Sequence, residues 1–511
     1  MLNPGNWSDW TEIRYGPPLW PIWGLFIVKG LYILRAVPGQ NVRKIKCVTL
    51  LGVRGHDALG IYAKGVFCFI QAKRSAVMFI PLIIFALAYV AIISEKFPRH
   101  WIALLGGGLL IVFGALSPLE ALTYINWETL GLLSGMFILV SILHEAGFFT
   151  WLAMTAVRKV NYHPTYLFVA LLALAAFLAM FMDSITVMLF LSALTLQLCR
   201  LLKIDPVPFI VAEVCAANTG GAATLVGDPP NVILGTTLGF NFADFVTHTG
   251  PISALAALTL LIVFYFVNRR PLRDAHAALT ESTIREIEGL YRDPLRAQMT
   301  RVGLIGFGTA VALLVIHHPL SEATGLPISS AVAALLPAVF TLLAVPRGDR
   351  RAVILKVDGE SILFFAGLFV LIGGLEKARI FEMLAESLAG ATSSNPAGLV
   401  MALHWGPGLA SGVVDNVPLA LAMSYVLRDL ASIPGMPALA LMVWSLALGV
   451  DMGGNFTPIG ASANVVAYSF MERNHGRIGW KRWLLIAVPP TLLAMVLASG
   501  LVMLKGQIGW Y

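Results

Sequence analysis

The stretch GGAATLVGDPPNVILG, residues 220–235, decides the fold, because a second stretch of the same pattern, GGNFTPIGASANVVAY, follows at residues 453–468. Both lie in otherwise apolar runs and contain glycine and asparagine, and the first also contains paired prolines. Such residues are unfavourable in the middle of a helix. Each stretch therefore predicts a break in a helix. The shared pattern is G-G-x-x-T-x-x-G-x-x-x-N, formed by Gly220, Gly221, Thr224, Gly227 and Asn231, and again by Gly453, Gly454, Thr457, Gly460 and Asn464.

The composition of the chain is that of an integral membrane protein. Of 511 residues, 58% are hydrophobic and 12% are charged, and the mean hydropathy is +0.80. Apolar runs of about 20 residues, long enough to cross a bilayer, recur from Ser75 to the C-terminus. We therefore expect an all-α polytopic membrane protein in contact with the lipid bilayer.

Charge and cysteine usage exclude several other classes of protein. The net charge is +7, but the basic residues lie between apolar runs and form no block with interleaved aromatic residues, so we expect no nucleic-acid partner. Cys47, Cys68, Cys199 and Cys215 form no CxxC pair and have no histidine at metal-ligand spacing. We therefore expect neither a disulfide framework nor a metal site.

The chain repeats itself at a nearly constant spacing. Asp183 and Asp415 are 232 positions apart, and the two glycine motifs are 233 positions apart. Six further residues recur 232 positions later, namely Glu128, Gly135, Phe137, Leu143, Ala146 and Phe149 as Glu360, Gly367, Phe369, Leu375, Ala378 and Phe381. We therefore predict an N-terminal extension (1–75), repeat 1 (76–268), a polar linker (269–300) and repeat 2 (301–505).

The distribution of basic residues predicts the orientation of the repeats. If the segments around Asp183 and Asp415 leave the membrane on the side they entered, each repeat crosses five times and the second copy is inverted. In this layout most basic residues after residue 75 lie on one side, and the other side receives Lys377, Arg379, Arg428 and Lys505. The positive-inside rule then places linker 269–300 in the cytoplasm, and we expect a bacterial cytoplasmic (inner) membrane.

The N-terminal extension fits this plan less well. It contains a tryptophan-rich apolar stretch, Leu19–Val37, that is either an extra span or an interfacial segment. Residues 1–18 lack a basic start followed by an apolar core, so no cleavable signal peptide is expected. We assign the extension no function.

The repeated motif predicts a cavity inside the membrane. The chain is expected to form a half-helix through Ala212–Asn218, to unwind from Gly220 to Gly227 and to restart at Pro229, with Asp228 as its cap. In the second copy Ser462 is the expected cap. Unwound backbone at this depth must face protein or water, and it offers carbonyl groups to a cation and helix N-termini to an anion or to partly negative oxygens. The alternative is a kink that only relieves packing.

The two aspartates suggest hairpin tips at the same cavity. Asp183 is followed by Ser184 and Thr186, and Asp415 is followed by Asn416. A carboxylate within a membrane is costly unless it is hydrated, paired or protonated, so such residues usually line transport paths. They can exchange a proton for a cation or a solute. The alternative is that each acid caps the second helix of its hairpin.

Other polar residues in apolar runs are weaker candidates. We expect His404 and Glu213 to be structural, and Asp451 faces either the cavity or an interface between helices. No lysine follows the glycines of either motif, and GxGxxG spacing is absent, so no nucleotide site is predicted. Any ATPase would have to be a separate subunit, and the expected cofactors are none beyond a coupling ion, H⁺ or Na⁺.

The paired motifs, each preceded by a hairpin segment with MDSITVML (182–189) or VDNVPLAL (414–421), resemble the ion transporter superfamily. Within it they are similar to the branch of arsenite permeases and the melanosomal P protein. The resemblance covers residues 75–504. It implies two inverted five-helix repeats, each with a re-entrant hairpin and a broken helix. It also implies a scaffold part that forms a homodimer and a transport part that moves like an elevator.

The resemblance implies that the hairpin tips and the loops of the broken helices bind the solute and the ion. At the tips the residues are Asp183, Ser184, Thr186, Asp415 and Asn416. In the loops they are Asn218, Thr219, Gly220, Gly221, Thr224, Gly227 and Asn231, and Gly453, Gly454, Asn455, Thr457, Gly460, Ser462 and Asn464.

The tips depart from the Ser-Asn-Thr pattern of the dicarboxylate-carrier branch, and we expect no Arg or Lys near either motif to neutralise a substrate carboxylate. Both points argue against a dicarboxylate. A small neutral solute such as arsenous acid suits hydroxyl, amide and carbonyl ligands, and so does Na⁺. We therefore expect proton-coupled efflux of arsenite or antimonite, with Na⁺/H⁺ antiport and an anion carrier as alternatives.

The Tyr-Asp and Gly-x-Gly-Asp motifs of intramembrane aspartyl proteases are absent around Asp183 and Asp415, so no enzyme is expected.

Overall fold

The computed structural model describes residues 32–35, 46–49, 79–94, 96–289, 295–392 and 395–511. The chain divides into two compact units, Met1–Arg74 and Ser75–Tyr511. In the first unit, strand β1 (Tyr32–Arg35) pairs antiparallel with β2 (Lys46–Thr49). Apart from β1, the apolar stretch at 19–37 lies outside the described residues.

The second unit is built from helices. Those before residue 290 are α1 (Phe79–Ile93), α2 (Arg99–Val112), α3 (Pro118–Tyr124), α4 (Trp127–Glu145), α5 (Phe148–Lys159), α6 (Pro164–Ala179), α7 (Ser184–Leu201), α8 (Val207–Gly221), α9 (Pro229–Leu238), α10 (Phe242–His248), α11 (Gly250–Ala277) and α12 (Glu281–Gly289). Those after it are α13 (Ala297–Thr324), α14 (Ser330–Ala344), α15 (Arg347–Leu355), α16 (Gly359–Lys377), α17 (Ile380–Thr392), α18 (Pro396–Ser411), α19 (Asn416–Ala431), α20 (Leu439–Gly453), α21 (Ser462–Asn474) and α22 (Trp480–Ile508).

Seven helices in the described part of the chain are long and apolar enough to cross a membrane. They are α4, α7, α11, α13, α16, α20 with the turn that follows it, and α22. Helices α1, α2, α6 and α14 are apolar but shorter. The expected all-α polytopic fold is thus present in the second unit.

The spacing of the sequence repeat recurs in the helices. Helix α4 begins at Trp127 and α16 begins at Gly359, 232 positions later, and both helices contain 19 residues. Helices α6 and α18, and likewise α8 and α20, also start 232 positions apart and have equal lengths. Equivalent local sequences therefore form equivalent helices in both halves.

Two ion pairs show that α4 and α16 run in opposite directions. Glu145, the last residue of α4, lies 2.6 Å from the Nζ of Lys356, shortly before α16 starts. Lys377, the last residue of α16, lies 2.8 Å from Glu120, shortly before α4 starts. The end of each helix is thus close to the start of the other, so the two helices are antiparallel.

The second unit contains two groups of helices. The frame helices, α2, α4, α13, α14 and α16, pack against one another, with α2 on α16 and α14 on α4. Small residues allow this approach, because a Cβ added to Gly135 would lie 2.6 Å from the backbone of Ala334, and one added to its repeat partner Gly367 would lie 2.6 Å from Leu104. The hairpin helices, α6–α9 and α18–α21, form the second group, with α6 on α8 and α18 on α20. The candidate site lies where the two groups meet.

Candidate functional site

Both glycine motifs form the predicted breaks. Helix α8 ends at Gly221 and α9 begins at Pro229. In the second copy α20 ends at Gly453, a short 3-10 turn covers Gly454–Phe456, and α21 begins at Ser462. Helices unwind at the positions where the sequence places glycine and proline.

The capping roles expected at the restarts are wrong. Asp228 occupies the N-cap position of α9, but its side chain makes no capping hydrogen bond. The N-cap of α21 is Ala461, so Ser462 is already inside the helix. Both side chains bond to the hairpins instead. Asn416 donates a hydrogen bond of 3.3 Å to the Asp228 carboxylate, and Ser462 donates one of 3.2 Å to Asp415.

The repeated asparagines close the loops of the broken helices. The Asn231 amide donates to the carbonyls of Gly221 and Thr224, each at 3.1 Å. In the second copy the Asn464 amide donates in the same way, to Gly454 at 2.8 Å and to Thr457 at 2.7 Å. Both amide hydrogens of each asparagine are therefore used inside its own loop.

The repeated threonines anchor the loops to the hairpin turns. The Thr224 hydroxyl donates to the carbonyl of Met180, in the turn between α6 and α7. The Thr457 hydroxyl donates to the carbonyl of Gly412, 232 positions after Met180, in the turn between α18 and α19. Each break is thereby joined to the hairpin of its own repeat.

The repeated glycines allow the backbones to approach closely. A Cβ added to Gly220 would lie 2.2 Å from the carbonyl oxygen of Ala176 in α6, and one added to Gly453 would lie 1.9 Å from that of Gly408 in α18. Contacts this short are incompatible with a side chain. Within the loops the same limit holds for Gly227 against Gly221 and for Gly460 against Gly454, both at 2.4 Å.

An asparagine cluster joins the two broken helices. The Asn218 amide, near the end of α8, donates to the side-chain oxygens of Asn455 and Asn464, both at 2.9 Å. These three side chains are fully buried. Thr219, the next residue in α8, accepts a hydrogen bond of 2.5 Å from Ser253 through its carbonyl. The cluster is an internal contact between the two repeats.

Both hairpin aspartates are helix caps. Asp183 accepts hydrogen bonds from the backbone of Thr186 at 2.9 Å and from its hydroxyl at 2.7 Å, which caps α7. Asp415 accepts one of 3.0 Å from the backbone of Val417, which caps α19. The capping alternative raised from the sequence is therefore present. Since both carboxyl groups also line cavities, it does not exclude a second role.

Two cavities lie next to the hairpin tips. The inner cavity has a volume of about 20 Å³, room for roughly one water molecule, and is lined by Asp183, Ser184, Asp228 and Asn416 among others. The outer cavity has a volume of about 340 Å³. Their walls share Arg99, Ile185, Asp358, Ser361 and Ser462.

Arg99, the N-terminal residue of α2, corrects the expectation that no basic residue lies near the motifs. Its guanidinium donates to the hydroxyls of Ser462 and of Ser361, the latter at 3.1 Å, and lies 3.8 Å from Asp415. It also lies 4.9 Å above the ring of Phe364. Arg99 could not be predicted from the sequence, because it precedes Ser462 by 363 residues and reaches the site only through the packing of α2 on α16.

Acidic groups outnumber the basic group in the cavities. Asp183 and Asp228 line the inner cavity, Glu360 and Asp415 line the outer cavity, Asp358 lines both, and Arg99 is the basic residue in either wall. Close carboxylates in a site of low dielectric repel one another and attract protons or cations. The site therefore favours protons, cations and hydrogen-bond donors over multiply charged anions.

The predicted residues divide into two sets. Asp183, Ser184, Asp415, Asn416 and Ser462 line the cavities, and Thr186 bonds to Asp183. Among the predicted loop residues other than Ser462, the asparagines and threonines of the motifs close the breaks, Asn218 and Asn455 join the two repeats, and the glycines allow close backbone contacts. In the described part of the chain, no group of three His, Cys, Asp or Glu side chains is placed to hold a metal ion.

Comparison with known proteins identifies the family. The sequence profile of the citrate transporter (CitMHS) family matches residues 89–449. The chain belongs to this family. It is 31% identical over 424 residues to an uncharacterized transporter of Mycobacterium tuberculosis, which covers 81% of this chain and 96% of that relative. It is 30% identical over 468 residues to the human P protein, which covers 77% of this chain and 56% of that protein.

A solved structure shares the fold. The YdaH transporter of Alcanivorax borkumensis superposes with a TM-score of 0.52 at 13% sequence identity, which covers 79% of this chain and 90% of that one. The resemblance to the ion transporter superfamily and to the P protein is thereby confirmed. The protein is an integral membrane transporter of the citrate transporter family.

Proposed function

We propose that this family member is a proton-coupled secondary transporter that exports a small neutral solute bearing hydroxyl groups, arsenous or antimonous acid. The observation that carries the proposal is the acidic wall of the paired cavities, in which Asp183, Asp228, Asp358, Glu360 and Asp415 accompany one guanidinium, that of Arg99. A neutral trihydroxy acid donates hydrogen bonds to carboxylates and brings no negative charge. A citrate-like anion would meet more carboxylates than cations.

The hairpin tips supply the coupling. Asp183 and Asp415 each accept the capping backbone hydrogen bond through one oxygen. The second oxygen accepts a hydrogen bond from a hydroxyl, that of Thr186 or of Ser462, and a proton that binds there would displace this hydrogen bond. Protons that enter down their gradient would neutralise these groups and release the solute. Solute that binds from the opposite side of the membrane would favour the ionised forms of Asp183 and Asp415, because these carboxylates accept hydrogen bonds from its hydroxyl groups.

The shape of the site supports alternating access. The outer cavity lies where α16 begins, beside Arg99 and Asp358. The opposite start, that of α4, is closed by a 2.6 Å contact between the hydroxyls of Thr129 and Thr236. Because the positive-inside rule assigns Lys96 and Arg99 to the cytoplasmic side, the described state would be open to the cytoplasm.

Na⁺/H⁺ antiport is the second candidate. Carboxylate, hydroxyl and amide oxygens are hard ligands that suit Na⁺, and Asp183, Ser184 and Asn416 supply all three types in the inner cavity. Arg99 supports an anion carrier, but its guanidinium is already engaged by Asp415, Ser361 and Ser462. We therefore rank an anion third.

Flux through the purified protein in proteoliposomes tests the proposal. Arsenite, antimonite, Na⁺ and citrate are compared as solutes under imposed pH or Na⁺ gradients, with Asp183→Asn and Asp415→Asn in parallel. We expect arsenite flux driven by the pH gradient and lost in both variants. Gly500→Ala is the matched control, because a Cβ at that position meets no atom within 4 Å.

The other outcomes point to the alternatives. Proton movement driven by Na⁺ without arsenite flux would establish the antiporter. Citrate flux lost on Arg99→Gln would establish the anion carrier. Arsenite flux that is unchanged in both aspartate variants would remove the role proposed for the hairpin tips.

A further inference from the structure

Asp451 is a buried carboxyl group whose oxygens accept no well-aligned hydrogen bond within the described part of the chain. It lies in α20, two residues before the helix ends at Gly453, and its side chain is fully buried. Neither oxygen accepts a hydrogen bond from the described residues. An ionised carboxylate in such a place is strongly unfavourable.

The neighbours of Asp451 supply no proton. Helix α20 packs against α9, and the polar side chains close enough to act on Asp451 are Asn231 of α9 and Asp228, which precedes α9. Both amide hydrogens of Asn231 are donated to the carbonyls of Gly221 and Thr224. Asp228 is a second acid. The surroundings therefore satisfy Asp451 only if the carboxyl group itself carries a proton.

The internal repeat supports the same conclusion. With the motif spacing of 233 positions, Asp451 corresponds to Asn218 and Asn231 corresponds to Asn464. The Asn218 amide donates to the side-chain oxygen of Asn464, whereas the equivalent oxygen of Asn231 has no partner in the described part of the chain. A protonated carboxyl group resembles an amide, since it has one donor and one acceptor. A proton on Asp451 would supply the donor that this copy lacks.

Asp228 connects Asp451 with the cavity. It accepts the hydrogen bond from Asn416 and lines the inner cavity. The charged groups that act on it are Asp183, the cap of α7, and Asp415, the cap of α19. Two further charged residues line the same cavity, Arg99 of α2 and Asp358, the cap of α16.

We propose that Asp451 and Asp228 form a proton-binding pair between the two broken helices, with the proton on Asp451 in the described state. The proton passes from the Asp451 carboxyl group to the Asp228 carboxylate and then to water in the cavity, which leaves Asp451 ionised. The pair is distinct from the hairpin tips, and it rests on the proposed function only in treating this proton as a coupling ion.

Infrared difference spectroscopy of the full-length protein tests the proposal without any solute. As the pH is raised, we expect the C=O stretching band of a protonated carboxylic acid to disappear, and this band to be absent from Asp451→Asn. Glu213→Gln is the matched control, because Glu213 is a buried acid of α8 that accepts a hydrogen bond of 2.5 Å from Thr195 and lines neither cavity. If subtracting the Asp451→Asn spectrum from the wild-type spectrum leaves no C=O band of a protonated acid, the proposal is overturned.

Thermal unfolding at two pH values gives a second test. A proton bound to the folded protein and lost on unfolding makes stability fall as the pH rises. Asp451→Asn should therefore match the wild-type midpoint at low pH and exceed it at high pH. A variant that is less stable at both values, or does not fold, would show that the ionised carboxylate is needed and would contradict the proposal.

Flux measurements separate this proposal from the proposed function. Asp451→Asn should lose transport driven by a pH gradient but keep exchange of solute without a gradient. If the protein carries neither arsenite nor antimonite, the proposed function fails, while the infrared and unfolding results still decide whether Asp451 binds a proton. If the solute is carried and Asp451→Asn keeps normal coupling, the proton pair fails alone.

Discussion

The starts of α4 and α16 are repeat-related but have different partners. Asn126 caps α4 by accepting a 3.0 Å hydrogen bond from Thr129, and Asp358 caps α16 by accepting one of 3.0 Å from Ser361. At α4, the hydroxyl of Thr129 meets that of Thr236, near the end of α9. At α16, Ser361 is joined through Arg99 to Ser462, the first residue of α21. The start of α4 thus contacts the end of α9. The start of α16 is instead bridged by Arg99 to the beginning of α21, the repeat equivalent of α9.

The difference amounts to a displacement along the half-helix. Thr236 lies seven positions after Pro229, the first residue of α9, whereas Ser462 is itself the first residue of α21. Seven residues of α-helix span about 10 Å. At the α4 side, side-chain hydrogen bonds join the helix start to the end of α9, whereas the outer cavity lies beside the start of α16.

The difference between the two helix starts suggests how the protein could change its conformation. If the two repeats exchange their arrangements, Ser361 would meet Ser469, the equivalent of Thr236, and Thr129 would meet Pro229, the equivalent of Ser462. The cavity would then open beside α4 and close beside α16. We therefore propose that the two copies alternate between two states through a shift of the hairpin helices against the frame helices.

Cross-linking should have the largest effect. With the four native cysteines replaced, Thr129→Cys with Thr236→Cys should form a disulfide that traps the described state and abolishes transport, since the hydroxyls are 2.6 Å apart. Ser361→Cys with Ser469→Cys should form a disulfide only during turnover. Gel mobility and flux, each before and after reduction, give the result. If the second pair never cross-links in an active protein, the proposed movement is wrong.

Adding a methyl group at the two glycine contacts tests whether the repeats are equally tight. Gly220→Ala and Gly453→Ala should each lower the free energy of unfolding by about 1–3 kcal/mol, because the added Cβ overlaps the backbone of α6 or α18. Thermal unfolding in detergent measures the loss, and Gly500→Ala serves as the control. Equal stability of Gly453→Ala and the wild type would contradict the close approach.

Removing the bridge at the open side should shift the balance between states. Arg99→Gln loses the contacts with Ser462, Ser361 and Asp415, and charge-assisted hydrogen bonds are worth about 1.5–3 kcal/mol. We expect roughly tenfold more of the alternate state, measured as faster cross-linking of the Ser361/Ser469 cysteine pair. Slower cross-linking would mean that Arg99 does not hold the described state.

Substitutions at the two hairpin caps can distinguish the role of the aspartate charge from its role in capping a helix. Asp183→Ala and Asp415→Ala should each cost about 1 kcal/mol of stability through loss of the cap, whereas the Asn variants keep a capping oxygen and should cost less. Transport lost in both Asn and Ala variants indicates a role for the charge. If only the Ala variants lose transport, the aspartates act as caps alone.

The two ion pairs that join the helix ends should have the smallest effect. Hydrogen bonds from Lys377 and Ser117 lower the pKa of Glu120 to about 2. Since the pKa is lowered, the stabilisation is present above the ordinary value of 4.5 and is lost as the pH falls through about 2. Lys377→Gln should cost at most about 1 kcal/mol at neutral pH, because the pair is exposed.

The Glu145 pair at the other end provides the comparison. Glu145 is 14% exposed, and Glu120 is 44% exposed. Lys356→Gln should therefore lower the unfolding midpoint more than Lys377→Gln does. The reverse order would show that exposure does not set the strength of these two pairs.

Much of the local structure could be predicted from the sequence. Glycine and proline marked both breaks, and the spacing of 232 residues anticipated helices of equal length in the two halves. The roles of Asp228 and Ser462 were predicted wrongly, because each occupies a position beside a helix start where a cap is common. Their side chains bond to Asn416 and Asp415 instead, in hairpins that are distant in the sequence.

By itself, the sequence determined the membrane environment, the duplication, the broken helices and the aspartates at the hairpin turns, since these depend on hydropathy and on local backbone preferences. The tertiary structure alone decided that Arg99 and Asp358 enter the site, that Asp451 accepts no well-aligned hydrogen bond from the described residues, and that a cavity lies beside one helix start while its equivalent is hydrogen-bonded to α9. These features depend on which distant surfaces are in contact. Two copies with the same local sequence can pack in different registers, so their local sequences do not specify which end is open.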